Sequence, residues 1–215
     1  MKLKRFKVAI DSPAASGAGS ISKMLAKRYN LLYCDTGKIY RYLAYKLIKK
    51  NITNKITYLK KISKKIDLKK LHNKNLLNDK IAFNASQIAK DLRVRKFVLK
   101  FQRNIAYNPP KKFNGSILDG RDICSVVVPD ADIKLYITAS VNIRAKRRHK
   151  ELVRLGRKVK FAKILKSMKK RDWEDRTRVH SKLKKTKDSI LINTTNLSIK
   201  NSFLKVKKIM DRKLN

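Results

Sequence analysis

Residues Lys7–Ser20 read KVAIDSPAASGAGS, and this stretch decides the fold. The apolar run Val8–Ile10 predicts a buried strand, a loop of small residues follows, and a helical pattern opens at Ser20. A strand, a small-residue loop and a helix in that order are typical of a phosphate-binding P-loop. That motif runs from one glycine through four residues to Gly-Lys. Here Ser12 stands at the first position and Ala18 replaces the lysine, so the backbone cradle is expected without its cation.

Short apolar runs alternate with amphipathic patterns along the rest of the chain. The strand-like runs are Phe6–Ile10, Leu31–Asp35, Ser116–Asp119, Ile133–Ala139 and Ser189–Asn193. The helix-like patterns are Gly17–Tyr29, Gly37–Lys50, Ala85–Tyr107, Val141–Arg154, Phe161–Trp173 and Ser198–Lys213. This alternation predicts an α/β fold with a parallel sheet of about five strands, covered by helices on both faces. Ligands of such sheets bind beyond the carboxyl ends of the strands, where Ser12–Ser20, Asp35–Gly37 and Asp119–Asp122 fall.

The chain of 215 residues suits one domain spanning 1–215. Asn51–Asn84 is polar and weakly periodic, which predicts an excursion from the sheet. No apolar run approaches the length of a membrane span, and the basic amino terminus lacks the apolar region of a signal peptide, so we expect a cytoplasmic protein. Cys34 and Cys124 have no partners at metal-ligand spacing and are expected to be reduced core residues.

The formal charge of +42 has two explanations. It suits an anionic partner, of which nucleic acid is the usual one. It also suits compositional drift, because the excess is mostly lysine, spread along the chain among many Ile and Asn residues. Since no aromatic side chains interleave with the charges as they do in surfaces that stack on bases, drift is favoured. We expect no specific nucleic-acid partner, only weak, salt-sensitive binding to polyanions.

Four further segments carry the residues expected to perform chemistry. They are Leu32–Arg41 (LYCDTGKIYR), Asn84–Arg95 (NASQIAKDLRVR), Leu118–Asp122 (LDGRD) and Lys170–Arg178 (KRDWEDRTR). With the loop, and in this order over essentially the full length, they resemble the bacterial cytidylate kinases, which phosphorylate CMP and dCMP. The resemblance implies a nucleoside monophosphate kinase fold: a parallel P-loop core, a monophosphate-binding region near residues 51–84 and a mobile lid near residues 144–160. It also implies transfer of the γ-phosphoryl group of ATP to CMP or dCMP, and a monomer.

The resemblance further assigns roles to individual residues. ATP is expected over Ser12, Pro13, Ala14, Ala15, Ser16, Gly17, Ala18, Gly19 and Ser20, with Mg²⁺ bridging its phosphates and Ser20 as the nearest protein ligand. Thr36 is expected to cap the second helix and line the pocket, together with Asp35 and Gly37. Arg41, Arg121 and Arg171 are expected to hold the acceptor phosphate, and lid residues Arg144, Arg147 and Arg148 to reach the ATP phosphates. Of these, Arg121, Arg171, Arg144 and Arg148 are the predicted catalytic residues.

Base and sugar recognition are assigned in the same way. Cytosine presents an amino donor where uracil presents an acceptor, so its recognition requires a carboxylate or hydroxyl acceptor. The resemblance implies Asp122 and Ser86 for this task, with Arg95 and Arg178 on the base ring and Asp119 and Asp175 on the sugar side. The competing interpretation is that Asp119 and Asp122 pair with Arg121 to order a turn.

Two departures from the family pattern leave alternatives open. With Ala18 in place of lysine, the chain is either an active kinase in which a lid arginine, Lys23 or Lys38 supplies the cation, or a scaffold that binds nucleotide or nucleic acid with weak turnover. Leu68–Phe83 is too short for the family's inserted strands, so a kinase for another monophosphate such as UMP is the third alternative. The set of acceptor-site residues favours the active CMP/dCMP kinase.

Overall fold

The computed structural model describes residues 5–50, 52 and 55–214. Five strands form one sheet: β1 (Phe6–Asp11), β2 (Leu31–Asp35), β3 (Gly115–Gly120), β4 (Ile133–Thr138) and β5 (Ile190–Asn193). Eight α-helices accompany them in the described ranges: α1 (Ala18–Tyr29), α2 (Thr36–Ile48), α3 (Lys55–Ser63), α4 (Asp79–Ile88), α5 (Leu92–Tyr107), α6 (Val141–Arg154), α7 (Phe161–Thr177) and α8 (Ile199–Leu214). Each predicted strand is confirmed to within one residue at each end.

All strand pairs are parallel, and the order across the sheet is β2-β3-β1-β4-β5. The chain leaves the central strand β1 toward one edge of the sheet and later returns to β1's other side with β4. Such a reversal opens a crevice at the carboxyl ends of the strands, which is where open α/β sheets bind ligands. The predicted α/β class is confirmed, and the loop after β1 lies at this crevice.

Alternate residues of β1 enter the two halves of the core. Ala9 packs with Cys34 and Leu118 on one face, whereas Val8 and Ile10 pack with α1 and α8 residues on the other. Full burial of each large aliphatic side chain stabilises the fold by about 1.5–3 kcal/mol. Cys34 and Cys124 are buried free thiols, as predicted.

The region expected to leave the sheet holds α3, two short 3-10 turns (Leu68–His72 and Lys74–Leu77) and most of α4. Asn51, Thr53 and Asn54, at the start of this predicted excursion, lie outside the described residues. Buried leucines at 59, 71 and 76 anchor the segment against the core beside α2 and α5. No helix in the described part of the chain combines the length and apolarity needed to span a bilayer.

Two helix predictions were wrong in their bounds. The single helix expected over Ala85–Tyr107 is two helices, because Asp91 accepts the backbone N–H of Arg93 and starts α5 there. The helix expected to end at Trp173 continues to Thr177. The position of Trp173 in the amphipathic pattern predicts a packed side chain, yet it is 66% exposed. The break at 89–91 turns this part of the chain toward the crevice, and the extra turn of α7 carries Asp175 there.

Candidate active site

The loop between β1 and α1 has the conformation of an anion cradle. Gly17 caps α1 with φ +93°, and Ala15 also has a positive φ of 59°. Because a glycine cap has no side-chain acceptor, the backbone N–H groups of Gly19 and Ser20 in the first helical turn remain available to a ligand. A helix amino terminus with free N–H groups attracts phosphate, so the loop retains the backbone half of the motif.

The cationic half is absent from the loop itself. Ala18 is 4% exposed and packs in the core cluster that includes Val8, Ile10 and Ile21. Its backbone N–H donates to Ser16 Oγ at 3.3 Å. Any charge that follows the transferred phosphoryl group must therefore come from another element.

Two arginines of helix α6 donate hydrogen bonds to backbone carbonyls of the loop. Arg144 Nη1 donates to the carbonyl of Ala14 and Arg147 Nη1 to that of Ser16, each at 3.2 Å. Thr194 Oγ1 donates to the same Ser16 carbonyl at 2.8 Å. These carbonyls are turned toward α6. Arg148, also expected at the ATP phosphates, donates instead to Glu151 at 2.9 Å, one turn along α6.

A pocket rich in arginine opens beside the loop, between α2, α4, the end of β3 and α7. Nine of the ten residues predicted to bind CMP line it: Thr36, Arg41, Ser86, Arg95, Arg121, Asp122, Arg171, Asp175 and Arg178. The complete pocket lining contains six cationic and three anionic side chains, which gives it a net charge of +3. The lining as a whole therefore favours an anionic ligand.

Asp175 lies at the centre of the pocket's ion pairs. It accepts from Arg121 Nε at 2.8 Å and from Arg178 Nη1 at 3.4 Å. Burial would raise the pKa of this carboxyl, but the surrounding guanidinium groups outweigh burial and hold the pKa below its ordinary value. The carboxylate therefore fixes two arginine side chains in place at the pocket wall.

Arg171 is the exception among these arginines. Its Nε is one of two buried side-chain polar atoms in the described residues without a hydrogen-bond partner. Burial, followed by the repulsion of nearby Arg121, lowers the pKa of Arg171 to about 10. A buried donor without an acceptor is costly, so the site is built for an anion that completes it.

The pocket lining also includes a buried ion pair. Arg95 Nη1 donates to Asp122 Oδ2 at 3.0 Å, and its guanidinium lies over the ring of Tyr40 at 5.6 Å. Ser86 Oγ donates to the carbonyl of Phe83 at 2.7 Å, which leaves the hydroxyl oxygen able to accept. Carboxylate and hydroxyl acceptors thus face the same pocket.

Three other predicted residues take supporting contacts. Arg41 Nη1 donates to the carbonyl of Leu76 at 2.9 Å, which ties α2 to the excursion. Thr36 Oγ1 donates to the carbonyl of Asp119 at 2.7 Å, and Asp35 caps α2 by accepting the N–H of Lys38, as predicted.

Two residues predicted for the pocket do not line it: Asp35, which caps α2, and Asp119. The Oδ2 of Asp119 accepts from the hydroxyl of Tyr33 at 3.0 Å and lies 3.4 Å from the position a Cβ would take at Gly19. Burial first, and then the charge of Asp35, raises the pKa of Asp119 to about 8. The carboxyl therefore lies under the first turn of α1, beside the loop that precedes this helix.

Sequence reasoning missed several residues that shape the site. Lys90 and Glu174 both line the pocket and form an ion pair at 3.6 Å from α7 to the break before α5. Asp11, at the end of β1, accepts the backbone N–H groups of Ile123 at 2.7 Å and Cys124 at 3.0 Å. A signal for the first two was their position inside the predicted motif segments. For Asp11 it was a carboxylate directly after a buried strand.

Comparison with known proteins agrees with this geometry. The family model described as Cytidylate kinase matches residues 8–212. The chain is 41% identical over 206 residues to the cytidylate kinase of Bartonella tribocorum, covering 94% of this chain and 92% of that protein. It is 44% identical over 200 residues to that of Bartonella bacilliformis (92% and 91% covered) and 40% identical over 211 residues to that of Sinorhizobium medicae (98% of each).

A crystal structure of an uncharacterized protein from Eubacterium ventriosum shares the fold, with a TM-score of 0.54 and 18% identity. The similarity covers 95% of this chain and 97% of that protein. The family model extends over nearly the whole chain, from β1 to α8. The predicted resemblance is confirmed, and the chain belongs to the cytidylate kinase family.

Proposed function

We propose that this chain transfers the γ-phosphoryl group of ATP to CMP or dCMP, giving ADP and CDP or dCDP. Family membership supports this reaction. So does the arrangement of two anion-binding features at one sheet edge: a backbone cradle after β1 and an arginine pocket beside it. Adjacent donor and acceptor sites are what an in-line transfer between two phosphates needs.

The unpartnered Nε of Arg171 is the observation that carries the proposal. An acceptor phosphate at this point would give that nitrogen its missing partner and offset a net charge of +3 in the pocket lining. Arg41 and Arg121 line the same pocket and would complete the phosphate clamp. The acceptor already carries a phosphate oxygen as nucleophile, so no covalent intermediate and no general base are required.

Cytosine would lie at the other end of the pocket. Its exocyclic amino group is a donor, and the oxygens of Asp122 and Ser86 are the acceptors available there. Arg95 holds the Asp122 carboxylate in place at 3.0 Å. With Arg178, it would border the base ring. Asp175 would serve the sugar, with its position set by Arg121.

The donor would bind over Ser12–Ser20, with its phosphates on the free N–H groups at the start of α1. The exposed hydroxyl of Ser20 is a hard oxygen donor at that point, which fits Mg²⁺. Among the described residues no group of three or more His, Cys, Asp or Glu side chains could hold a metal. A single hydroxyl ligand suits a Mg²⁺ ion that is held mainly by the substrate phosphates. The ion would neutralise the charge of these phosphates during transfer.

The proposal includes two mobile regions and a monomeric state in solution. Residues 51–84 would close over the acceptor, and residues 144–160 would act as the lid that brings Arg148 toward the ATP phosphates. The lost lysine would be replaced by a lid arginine, with Lys23 and Lys38 as the other candidates. A cytoplasmic monomer without a specific nucleic-acid partner stays a prediction.

The test is ADP release by the purified protein with ATP and Mg²⁺, offering CMP, dCMP, UMP and AMP in separate reactions. Turnover with CMP and dCMP above UMP and AMP is the expected result. An Ala18→Lys variant runs in parallel, to show whether a restored lysine raises the rate. Binding of nucleotide without turnover in both forms would contradict the proposal and favour the weakened scaffold.

A further inference from the structure

Arg144 makes four hydrogen bonds around the loop and is almost fully buried. Arg144 is 2% exposed, and Asp172 on α7 is 9% exposed. The guanidinium binds both oxygens of this carboxylate, Nη1 to Oδ1 at 3.1 Å and Nη2 to Oδ2. Nε donates to the carbonyl of Ala139 at 2.8 Å, and Nη1 also donates to that of Ala14 at 3.2 Å. One side chain thus joins β4's end, α7 and the phosphate loop.

The loop needs such external support. Ala15, next to Ala14, has φ +59°, a conformation that costs free energy for any residue with a Cβ. Because Ala18 supplies no cation, the loop itself can hold the donor phosphates only through its backbone N–H groups. Such groups contribute most when their positions are fixed before the ligand arrives.

Asp172 also connects this support to the acceptor side. It follows Arg171 directly in α7, and Asp175 lies one turn further on; both neighbours line the acceptor pocket. Removing the carboxylate would leave the buried guanidinium of Arg144 uncompensated, which is strongly destabilising. The carboxylate therefore determines where α7 and the loop stand relative to each other.

Resting on the function proposed above, we infer that Asp172 is a positioning residue for phosphoryl transfer. Through Arg144 it fixes the carbonyl of Ala14 and holds the strained phosphate loop opposite the arginines that α7 presents to the acceptor. If Arg144 instead contacts the ATP phosphates directly, as predicted from the sequence, the expected effect of Asp172→Asn on ATP affinity is the opposite. Releasing Arg144 from its carboxylate would then leave ATP binding unchanged or tighter.

The first experiment compares wild type with Asp172→Asn, which preserves shape and removes the charge. Calorimetry measures ATP binding with Mg²⁺ in the absence of CMP, and CMP binding separately. We expect the Kd for ATP to rise about tenfold, the loss typical of one charge-assisted hydrogen bond, and the Kd for CMP to stay at the wild-type value. Asp188→Asn, which removes the surface partner of Lys134, is the control and should change neither. Unchanged or tighter ATP binding by Asp172→Asn would overturn the inference.

The second variant separates positioning from stability. In Arg144→Met with Asp172→Leu, an apolar pair of similar volume replaces the buried ion pair, an exchange that often preserves stability. We expect a melting temperature near that of wild type with the weakened ATP binding retained. If the apolar pair restores ATP affinity together with stability, the ion pair is only structural and the inference fails. Because these readouts need no turnover, they stay separate from wild-type ADP release, which alone tests the proposed function.

Discussion

Replacing Arg171 by methionine should stabilise the free protein while disabling the use of CMP. The Arg171 Nε is buried without a partner, and burial together with Arg121 lowers the pKa of this guanidinium to about 10. Each unit by which a pKa departs from its ordinary value corresponds to about 1.4 kcal/mol, so the fold opposes the charged form by roughly 3 kcal/mol. Methionine keeps the apolar stem and removes the charge.

Part of that gain is offset by the lost packing of the guanidinium. We therefore expect the free energy of unfolding to rise by about 1 kcal/mol and the melting temperature by about 2–4 °C. With CMP present, wild type should become the more stable of the two proteins, because a ligand at a hundred times its Kd stabilises the protein that binds it by about 2.7 kcal/mol. The variant should gain almost nothing from CMP, and its kcat/KM for CMP should fall at least about a hundredfold, the usual cost of losing a charged transition-state contact.

The assays are thermal unfolding with and without CMP, and coupled ADP release. Arg176→Met is the matched control: the same substitution, five residues further along α7, at an exposed position outside the pocket. It should change neither measurement. A lower melting temperature of Arg171→Met with wild-type CMP kinetics would refute the reasoning, because Arg171 would then be a structural residue.

Three further outcomes are expected. Asp122→Asn should raise the KM for CMP by at least about tenfold and narrow the preference for CMP over UMP, since an amide donates where the carboxylate only accepts; equal losses for CMP and ATP in steady-state kinetics would contradict this. Burial raises the pKa of Asp11 to about 6, above its unfolded value of about 3.9. The unfolded chain therefore loses this proton at lower pH than the folded protein does, and wild-type stability should fall relative to Asp11→Asn as pH rises from about 4 to 6. A difference between the two denaturation midpoints that stays constant over this pH range would contradict the raised pKa. Gly120→Ala would place a Cβ 2.8 Å from Ile123 and closer still to Thr36 Oγ1, so urea unfolding should show a loss of at least about 2 kcal/mol; unchanged stability would show that the turn relaxes.

The strands and the order of the functional segments could be predicted from the sequence because their signals are local. A short apolar run bounded by small or polar residues specifies a buried strand wherever it occurs, and β2 was predicted residue for residue as Leu31–Asp35. Nine of ten predicted CMP-binding residues reach one pocket. Three of them, Thr36, Arg121 and Asp122, follow strand ends directly and reach it for a related reason, whereas the other six lie on helices or at a helix end. Parallel strands deliver their carboxyl ends to the same edge of the sheet, whatever the packing details.

Helix bounds were predicted less well, since a cap can end a pattern that hydrophobic periodicity would continue. Asp91 divides one predicted helix into α4 and α5 by accepting an N–H two residues ahead. At α7 the error has the opposite sign, because the helix continues past Trp173 with that side chain in solvent. In both cases the error concealed a pocket residue, Lys90 in the break and Glu174 in the extra turn.

The sequence by itself determined the sheet, the phosphate loop with its missing cation, and the identities of nine residues in the acceptor pocket. Tertiary structure alone decided where individual charges point. Arg144 meets a carboxylate 28 positions away on another helix, and Asp119 turns under α1 toward Tyr33. The direction of a charged side chain depends on which elements pack around it, because burying a charge is favourable only beside its partner. No local pattern contains that information.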